Sequence, residues 1–162
     1  MQKVDCYMLV GIPASGKSTY AKKLAEETGG VIVCPDDIRK ELWGDSAVQG
    51  PWKNIKMKCL TRMFFAISQN KTIIYDATNI LIEHRQDVMV SIKQKLPMLL
   101  FDWKAIYFAA PFQWCVKRNE LRERKVPVDV IERMRFSIVP PSVEEGFTEV
   151  TVMKAVNVLG GQ

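Results

Sequence analysis

Short apolar runs alternate along the chain with longer segments in which apolar residues recur at helical spacing. The short runs predict strands at residues 4–10, 31–34, 72–75, 104–109 and 148–154. The longer segments keep a period near 3.6 residues and predict helices at 19–27, 38–43, 51–69, 82–96, 111–121 and 128–137. Strands that alternate with helices in this way predict an α/β fold with a parallel five-stranded sheet and right-handed crossovers.

Glycine, proline and acidic residues mark the ends of several elements. Gly29-Gly30 is typical of a helix C-cap, and Pro51 suits the first turn of the long helix that follows it. Asp36 or Asp37 is expected to cap the short helix at 38–43. The last three residues, 160–162, predict a frayed end. Because neither a repeat nor a second boundary interrupts the pattern, we expect residues 1–162 to form one domain.

The composition is that of one compact domain with a modest positive charge. Of the 162 residues, 48% are hydrophobic, and the net charge is +5. This charge favours an anionic partner without reaching the excess of a dedicated nucleic-acid coat. The four cysteines contain no C-x-x-C pair and are typical of reduced thiols. No apolar run reaches the ~20 residues of a membrane span, so we expect a cytoplasmic protein without a membrane partner.

The most specific motif follows the first strand directly. It fits the P-loop pattern G-x-x-x-x-G-K-[ST] and consists of Gly11, Ile12, Pro13, Ala14, Ser15, Gly16, Lys17, Ser18 and Thr19. In a P-loop, backbone N–H groups and the positive end of the next helix enclose an anion. Lys17 would reach the β- and γ-phosphates, and Ser18 would ligate Mg²⁺. The motif predicts a nucleoside-triphosphate site and leaves open what receives the phosphate.

Two carboxylates and an arginine follow the second strand. Asp36 and Asp37 stand at the strand end, and Arg39 lies on the same side of the helix as Asp36. A hydroxyl that accepts a phosphoryl group needs a carboxylate to take its proton, and an acceptor that carries phosphate suits an arginine fork. Asp36 is therefore a candidate base and Arg39 a candidate acceptor ligand. The alternative is that the two aspartates only cap a helix.

A third polar group, residues 76–79, follows the third strand. Ligands gather at the carboxyl edge of a parallel sheet. Asp76 takes the place of a Walker B acid, which could hold a metal-bound water or orient Lys17 or Arg39. Asn79 offers an amide to a substrate. The alternative is a turn without a chemical role, because Asp and Asn are common turn residues.

The charged segment 117–125 is expected to continue the fifth helix. Arg118, Arg122 and Lys125 would then share one face, and Glu120 would pair with Arg124 on another. A movable helix with two arginines on one face could close over a triphosphate and neutralise charge during transfer. The alternative is a solvated charged helix.

In these motifs the chain resembles the P-loop 5′-hydroxyl polynucleotide kinases of phages and of bacterial end-healing proteins. Residues 11–19 match the family's G-x-P-x-S-G-K-S-T, and Asp36, Asp37 and Arg39 match its paired aspartates and arginine. Residues 76–79 match D-x-T-N, and residues 116–119 and 126–130 match V-K-R-N and V-P-x-D-V. The likeness covers roughly residues 4–153.

The resemblance implies a P-loop kinase sandwich of three layers, with strand order 2-3-1-4-5 and a helical lid at about 111–137. It implies ATP and Mg²⁺ as cofactors, held by the P-loop and by Arg118 and Arg122 from the lid. It also implies that Asp36 is the general base and that Arg39 holds the phosphate next to the acceptor nucleotide. The implied acceptor is the 5′-hydroxyl end of DNA or RNA.

Three functions remain open on these observations. The first is 5′-hydroxyl polynucleotide kinase, and the second is a kinase of the same scaffold for a small hydroxyl-bearing molecule such as a nucleoside, sugar or antibiotic. The third is a nucleotide-binding module that switches conformation without transfer, which Asp36 and the two lid arginines disfavour. The walls of the acceptor pocket, expected to include the helix from Ile38 and the loop 44–50, distinguish the first from the second.

Overall fold

A parallel five-stranded sheet is the centre of the molecule. The computed structural model describes residues 2–154. Its strands are β1 (Lys3–Val10), β2 (Val31–Val33), β3 (Ile73–Asp76), β4 (Leu100–Ala109) and β5 (Glu149–Lys154). All four strand pairs are parallel and the order is β2-β3-β1-β4-β5. The predicted fold class and the strand order implied by the resemblance are confirmed, whereas the predicted frayed end at 160–162 lies outside the described residues.

Helices connect the strands. In residues 2–154 they are α1 (Lys17–Thr28), α2 (Pro35–Trp43), α3 (Trp52–Ser68), α4 (Ile82–Lys95), α5 (Phe112–Glu120) and α6 (Val128–Ser137), followed by a 3-10 helix at Val143–Glu145. Across this part of the chain, no helix combines the length and the apolar character needed to cross a membrane.

The side chains of β1 point alternately to the two faces of the sheet, and helices cover both faces. Cys6, Met8 and Val10 belong to one buried cluster with side chains of α3 and α4, and Leu9 belongs to another with side chains of α1. Successive side chains of a strand point to opposite faces, so a strand covered on both sides is apolar throughout. A fully buried Val, Leu or Met side chain contributes about 1.5–3 kcal/mol relative to an exposed one. The result is the predicted sandwich of three layers.

The start of α2 differs from the prediction. The helix begins at Pro35 with Cys34 as its N-cap, so Asp36 and Asp37 lie in the first turn and neither is the cap. Proline is favoured at the first helical position because its missing N–H would have no partner there. Two carboxylates in the first turn stabilise the positive end of the helix.

Two further boundaries also differ. Pro51 precedes α3 as its N-cap residue and does not lie in its first turn. β4 begins at Leu100, four residues before the predicted start, because residues 100–103 pair with residues 3–6 of β1. Pairing with a neighbouring strand, which a local pattern cannot show, therefore sets this boundary.

The predicted continuation of α5 through the charged segment is wrong. The helix ends at Glu120, and the Asn119 side chain then holds the following turn. Its Nδ2 donates to the Val126 carbonyl at 2.7 Å, and its Oδ1 accepts from the Val126 N–H at 3.0 Å. Asparagine side chains compete with helical hydrogen bonds in this way, and Pro127 disfavours helical backbone at the residue before it. The expected common face of Arg118, Arg122 and Lys125 and the expected Glu120–Arg124 pair are therefore not formed.

A buried ion pair joins α4 to the segment before β5. Arg85 is fully buried, and its Nε and Nη2 donate to the two carboxylate oxygens of Glu145 at 2.7 and 2.9 Å. Its Nη1 donates to the carbonyl oxygens of Asn79 at 2.8 Å and Val139 at 3.0 Å. Arg85 thus fixes the turn after β3 against the loop that leads to β5.

Replacing Glu145 by alanine should lower the free energy of unfolding by about 3–5 kcal/mol, because the Arg85 guanidinium would stay buried without its counter-ion. Urea denaturation measures this loss. The exposed Glu144 of the same 3-10 helix is the matched control, and its replacement by alanine should change stability by less than about 0.5 kcal/mol. Similar small losses in the two variants would mean that the ion pair adds little to stability.

Candidate functional site

A cleft of about 780 Å³ opens along the carboxyl edge of the sheet. Residues that follow β1, β2 and β3 line it, together with residues of the segment 118–134. This edge is where parallel sheets bind ligands, and the volume is within the range of small-molecule sites. The cleft therefore brings together the three motifs that follow successive strands in the sequence.

The backbone of the P-loop requires its glycines. Gly16 has a φ of 101°, in the left-handed region that side chains disfavour. A Cβ atom on Gly11 would stand 2.7 Å from Ser15 Oγ and 3.1 Å from Phe108 Cβ. Ala14 also has a positive φ, 63°, and such strained residues cluster at ligand sites. The loop is thus tightly folded where the sequence predicts phosphate binding.

Lys17 is a buried cation without a counter-ion among residues 2–154. Its side chain amine donates to the Ile12 carbonyl at 2.8 Å and to Ser15 Oγ at 3.4 Å. Residues 2–154 provide no salt bridge to it, and burial lowers the pKa of its amine, although the charge of Asp76 opposes the shift. A phosphate ligand would supply the missing negative charge. The buried amine of Lys17 therefore suits the phosphate groups of a bound nucleotide.

Ser18 and Asp76 form a pair of oxygen ligands beside Lys17. The Ser18 hydroxyl donates to Asp76 Oδ2 at 3.0 Å. Burial raises the pKa of the Asp76 carboxyl, and the charge of Lys17 and the Ser18 hydrogen bond oppose this shift. Between residues 2 and 154, no group of three His, Cys, Asp or Glu side chains could hold a metal by itself. The pair suits Mg²⁺, which is commonly held by one or two protein oxygens together with nucleotide phosphates.

Asp36 lies between two arginines. Its Oδ1 accepts from Arg39 Nη1 at 2.8 Å, and its Oδ2 accepts from Arg124 Nη1 at 3.2 Å. Arg124 Nη2 also donates to the Ser46 carbonyl at 3.4 Å. The Nε atoms of both arginines are buried without a hydrogen-bond partner among the described residues. Two guanidinium groups that line the cleft beside one carboxylate suit an anionic ligand.

Sequence analysis missed this position of Arg124. Continuing α5 through residue 125 put Arg124 on a different face from Arg118 and Arg122, whereas the turn after Glu120 carries it to Asp36. The available signal was Val126-Pro127, since the residue before a proline disfavours helical backbone. That signal indicates an earlier helix end but gives no position for the arginine.

Arg118 and Arg122, from the predicted lid segment, also line the cleft. Arg118 lies over the Trp114 ring at 4.8 Å from its centroid. Burial, followed by the neighbouring charge of Arg124, lowers the pKa of the Arg122 guanidinium. Neither Arg118 nor Arg122 has an ion pair within residues 2–154. With Lys17 they place three cations without an ion pair among residues 2–154 in the cleft, which favours an anionic ligand.

Asn79 has a structural role in this arrangement. It is 4% exposed, and its Nδ2 donates to the carbonyl oxygens of Leu9 at 2.7 Å and Ala77 at 3.3 Å. Both amide hydrogens are therefore taken by the backbone, and its role as a substrate ligand stays a prediction. Asp37 and Lys125 do not line the cleft. Of the two neighbouring aspartates at the start of α2, Asp36 is therefore the one that belongs to the site.

Comparisons with known proteins find one family profile and relatives that are kinases. The profile of the AAA domain family (AAA_33) matches residues 7–141. The L-seryl-tRNA(Sec) kinase of Methanococcus maripaludis is 29% identical over an alignment of 135 residues. The alignment covers 78% of this chain and 49% of the relative. The bifunctional polynucleotide phosphatase/kinase of Schizosaccharomyces pombe is 26% identical over 151 residues, 90% of this chain and 32% of the relative. The chain thus spans half or less of the length of these two relatives.

A solved structure shows the same similarity. The structure of the Pnkp1/Rnl/Hen1 RNA repair complex superposes with a TM-score of 0.71 at 25% identity, covering 85% of this chain and 44% of that one.

Proposed function

The chain belongs to the AAA domain family and has the fold of a P-loop kinase, and we propose that it phosphorylates the 5′-hydroxyl end of DNA or RNA. ATP with Mg²⁺ supplies the phosphoryl group when bound. The other parts of the reaction are assigned to side chains of the cleft.

The observation that carries this proposal is the position of Asp36 between Arg39 and Arg124, in the same cleft as Lys17. The Asp36 side chain is 48% exposed and can be reached by an acceptor hydroxyl. It would take the proton of that hydroxyl as general base. The side chains of Arg39 and Arg124 line the cleft and are 17% and 34% exposed, so a phosphate of the acceptor strand can reach them.

The remaining cations act on the donor side of the cleft. Lys17 and Arg122 would stabilise negative charge on the transferred group, because Lys17 is a buried cation, Arg122 is a half-buried one, and neither has an ion pair within residues 2–154. Arg118 would add a further contact to the donor phosphates. Ser18 would hold the metal with Asp76 at its side. The segment 111–137 is proposed to be a lid, because Arg118, Arg122 and Arg124 of this segment line the cleft together with the P-loop.

The nucleic-acid acceptor is supported by two further observations. The two curated relatives described above carry a nucleic acid in their names, seryl-tRNA in one and polynucleotide in the other. The net charge of +5 and the arginines around Asp36 favour an acceptor that bears phosphate.

Replacing Arg39 by alanine tests the acceptor class. If Arg39 binds a phosphate of the acceptor strand, KM for a 5′-hydroxyl oligonucleotide should rise by about tenfold or more, while KM for ATP stays within about twofold. The slope of log KM against log salt for the oligonucleotide should flatten by about 0.7, the value for one phosphate contact to a single strand. Initial rates at several salt concentrations measure both effects.

The exposed Lys40, next to Arg39 on α2, provides the matched control. Lys40→Ala should leave KM and the salt slope for the oligonucleotide near their wild-type values. An unchanged salt slope in Arg39→Ala, together with efficient turnover of a nucleoside that lacks phosphate, would indicate a small-molecule kinase.

A further inference from the structure

One tryptophan of the cleft has no part in the roles proposed above. Trp52 is 41% exposed and is the one large exposed apolar side chain among residues 2–154 that lines the cleft. Trp103 is buried, and Trp43 and Trp114 are half-buried against apolar clusters. An indole that protein packing leaves partly in water, inside a ligand cleft, offers its face to a flat partner.

The edge of this indole is held in place. Trp52 Nε1 donates to Asp87 Oδ2 at 3.4 Å, and Asp87 Oδ1 accepts from Lys56 Nζ at 2.7 Å. Trp52 and Lys56 lie one turn apart on α3, and Asp87 lies on α4, so two helices restrain the ring. A ring that is already oriented loses little conformational entropy when a ligand stacks on it.

The position of Trp52 assigns it to the acceptor side of the cleft. The P-loop follows β1 and the lid follows β4, whereas Asp36 and Trp52 both lie in the connection from β2 to β3. Ser46, in the loop that leads to Trp52, accepts from the same Arg124 guanidinium that contacts Asp36. Trp52 therefore lines the cleft from the same connection between strands as the proposed general base.

The charges around Trp52 favour a neutral ring over a phosphate. Asp87 contacts the indole edge, and the exposed Glu83 lines the cleft on the same helix. Lys56 neutralises Asp87 and Glu83 adds a carboxylate, so this part of the cleft attracts a phosphate group less than the arginines at Asp36 do. A base of a nucleic acid is flat and uncharged, and every base can stack on an aromatic side chain.

We propose that Trp52 is a stacking platform for a nucleobase at the 5′ end of the acceptor strand. The proposal rests on the proposed function and makes it more specific, because it predicts that the enzyme requires a base on the nucleotide it phosphorylates. A base stacked on Trp52 would hold the terminal nucleotide while its 5′-hydroxyl lies at Asp36.

The test compares two 5′-hydroxyl oligonucleotides that differ only in the base of the 5′-terminal nucleotide, which is present in one and absent in the other. For the wild-type protein, KM for the abasic oligonucleotide should be about tenfold higher or more. Trp52→Ala should raise KM for the intact oligonucleotide to a similar extent and should leave KM for the abasic one and for ATP within about twofold. Trp52→Phe, which keeps an aromatic face, should recover most of the preference for the base.

Phe65→Ala is the control, since Phe65 is a 60% exposed aromatic residue on α3 that does not line the cleft. It should retain the wild-type ratio of KM values, and melting curves show whether each variant is folded. Wild-type protein that phosphorylates both oligonucleotides with equal KM, or Trp52→Ala with an unchanged ratio, overturns the stacking proposal alone. If neither oligonucleotide is phosphorylated by wild-type protein, the proposed function fails and the stacking proposal fails with it.

Discussion

Replacing Lys17 by alanine should reduce phosphoryl transfer at least about 10³-fold, because the variant lacks the cation that lies deepest in the phosphate loop. We expect the fold to be kept. The amine has no ion pair within residues 2–154, so its removal deletes a buried charge whose pKa burial already lowers. The rate of transfer from γ-labelled ATP and a melting curve measure the two effects separately.

Lys23→Ala is the matched control for Lys17, since it removes an exposed lysine from the same helix. Its turnover should stay within about twofold of wild type. Wild-type turnover and ATP affinity in Lys17→Ala would show that the loop does not hold phosphate.

Replacing Asp36 by asparagine should lower kcat by about 10²- to 10⁴-fold, because the amide cannot take the proton of the acceptor hydroxyl. ATP binding should persist. The stability should change by less than about 1 kcal/mol, since asparagine has nearly the same size and the half-exposed ion pairs with Arg39 and Arg124 contribute little. Steady-state rates, ATP titration and thermal unfolding measure the three properties.

Asp37 provides the control for Asp36. It lies in the same first turn of α2, is exposed and does not line the cleft. Asp37→Asn should therefore keep near-normal turnover. Normal turnover in Asp36→Asn with an inactive Asp37→Asn would assign the base to the other carboxylate, and activity in both would exclude a catalytic role for the pair.

The fold was largely predictable from the sequence because its signals are local. Each strand is a short apolar run, and the run that forms β1 is apolar because helices cover both faces of the sheet. The P-loop could be placed from a few fixed positions, since only glycine tolerates the backbone found at Gly16 and the close approach found at Gly11. Parallel strands then bring Asp36 and Asp76 to the same edge.

The details that sequence analysis missed depend on contacts between distant residues. Arg124 meets Asp36 only because the Asn119 side chain ends α5 and turns the chain. The indole edge of Trp52 is fixed by Asp87, 35 residues further along the chain. The 3.6-residue period of the segment 51–69 predicts the helix, whereas the exposure of Trp52 in the cleft follows from its place at the first turn of α3. None of these features has a local pattern that predicts it.

The proposed activity can be measured by incubating the protein with γ-labelled ATP, Mg²⁺ and a 5′-hydroxyl oligonucleotide, beside the same oligonucleotide with a 5′-phosphate and a panel of nucleosides and sugars. We expect label on the 5′-hydroxyl oligonucleotide, none on the 5′-phosphorylated one, and at least about tenfold lower kcat/KM for each small acceptor, because these lack the strand phosphate that Arg39 is proposed to bind. Label transferred to a nucleoside or sugar in preference to the oligonucleotide would contradict a polynucleotide kinase and would assign the cleft to a small acceptor.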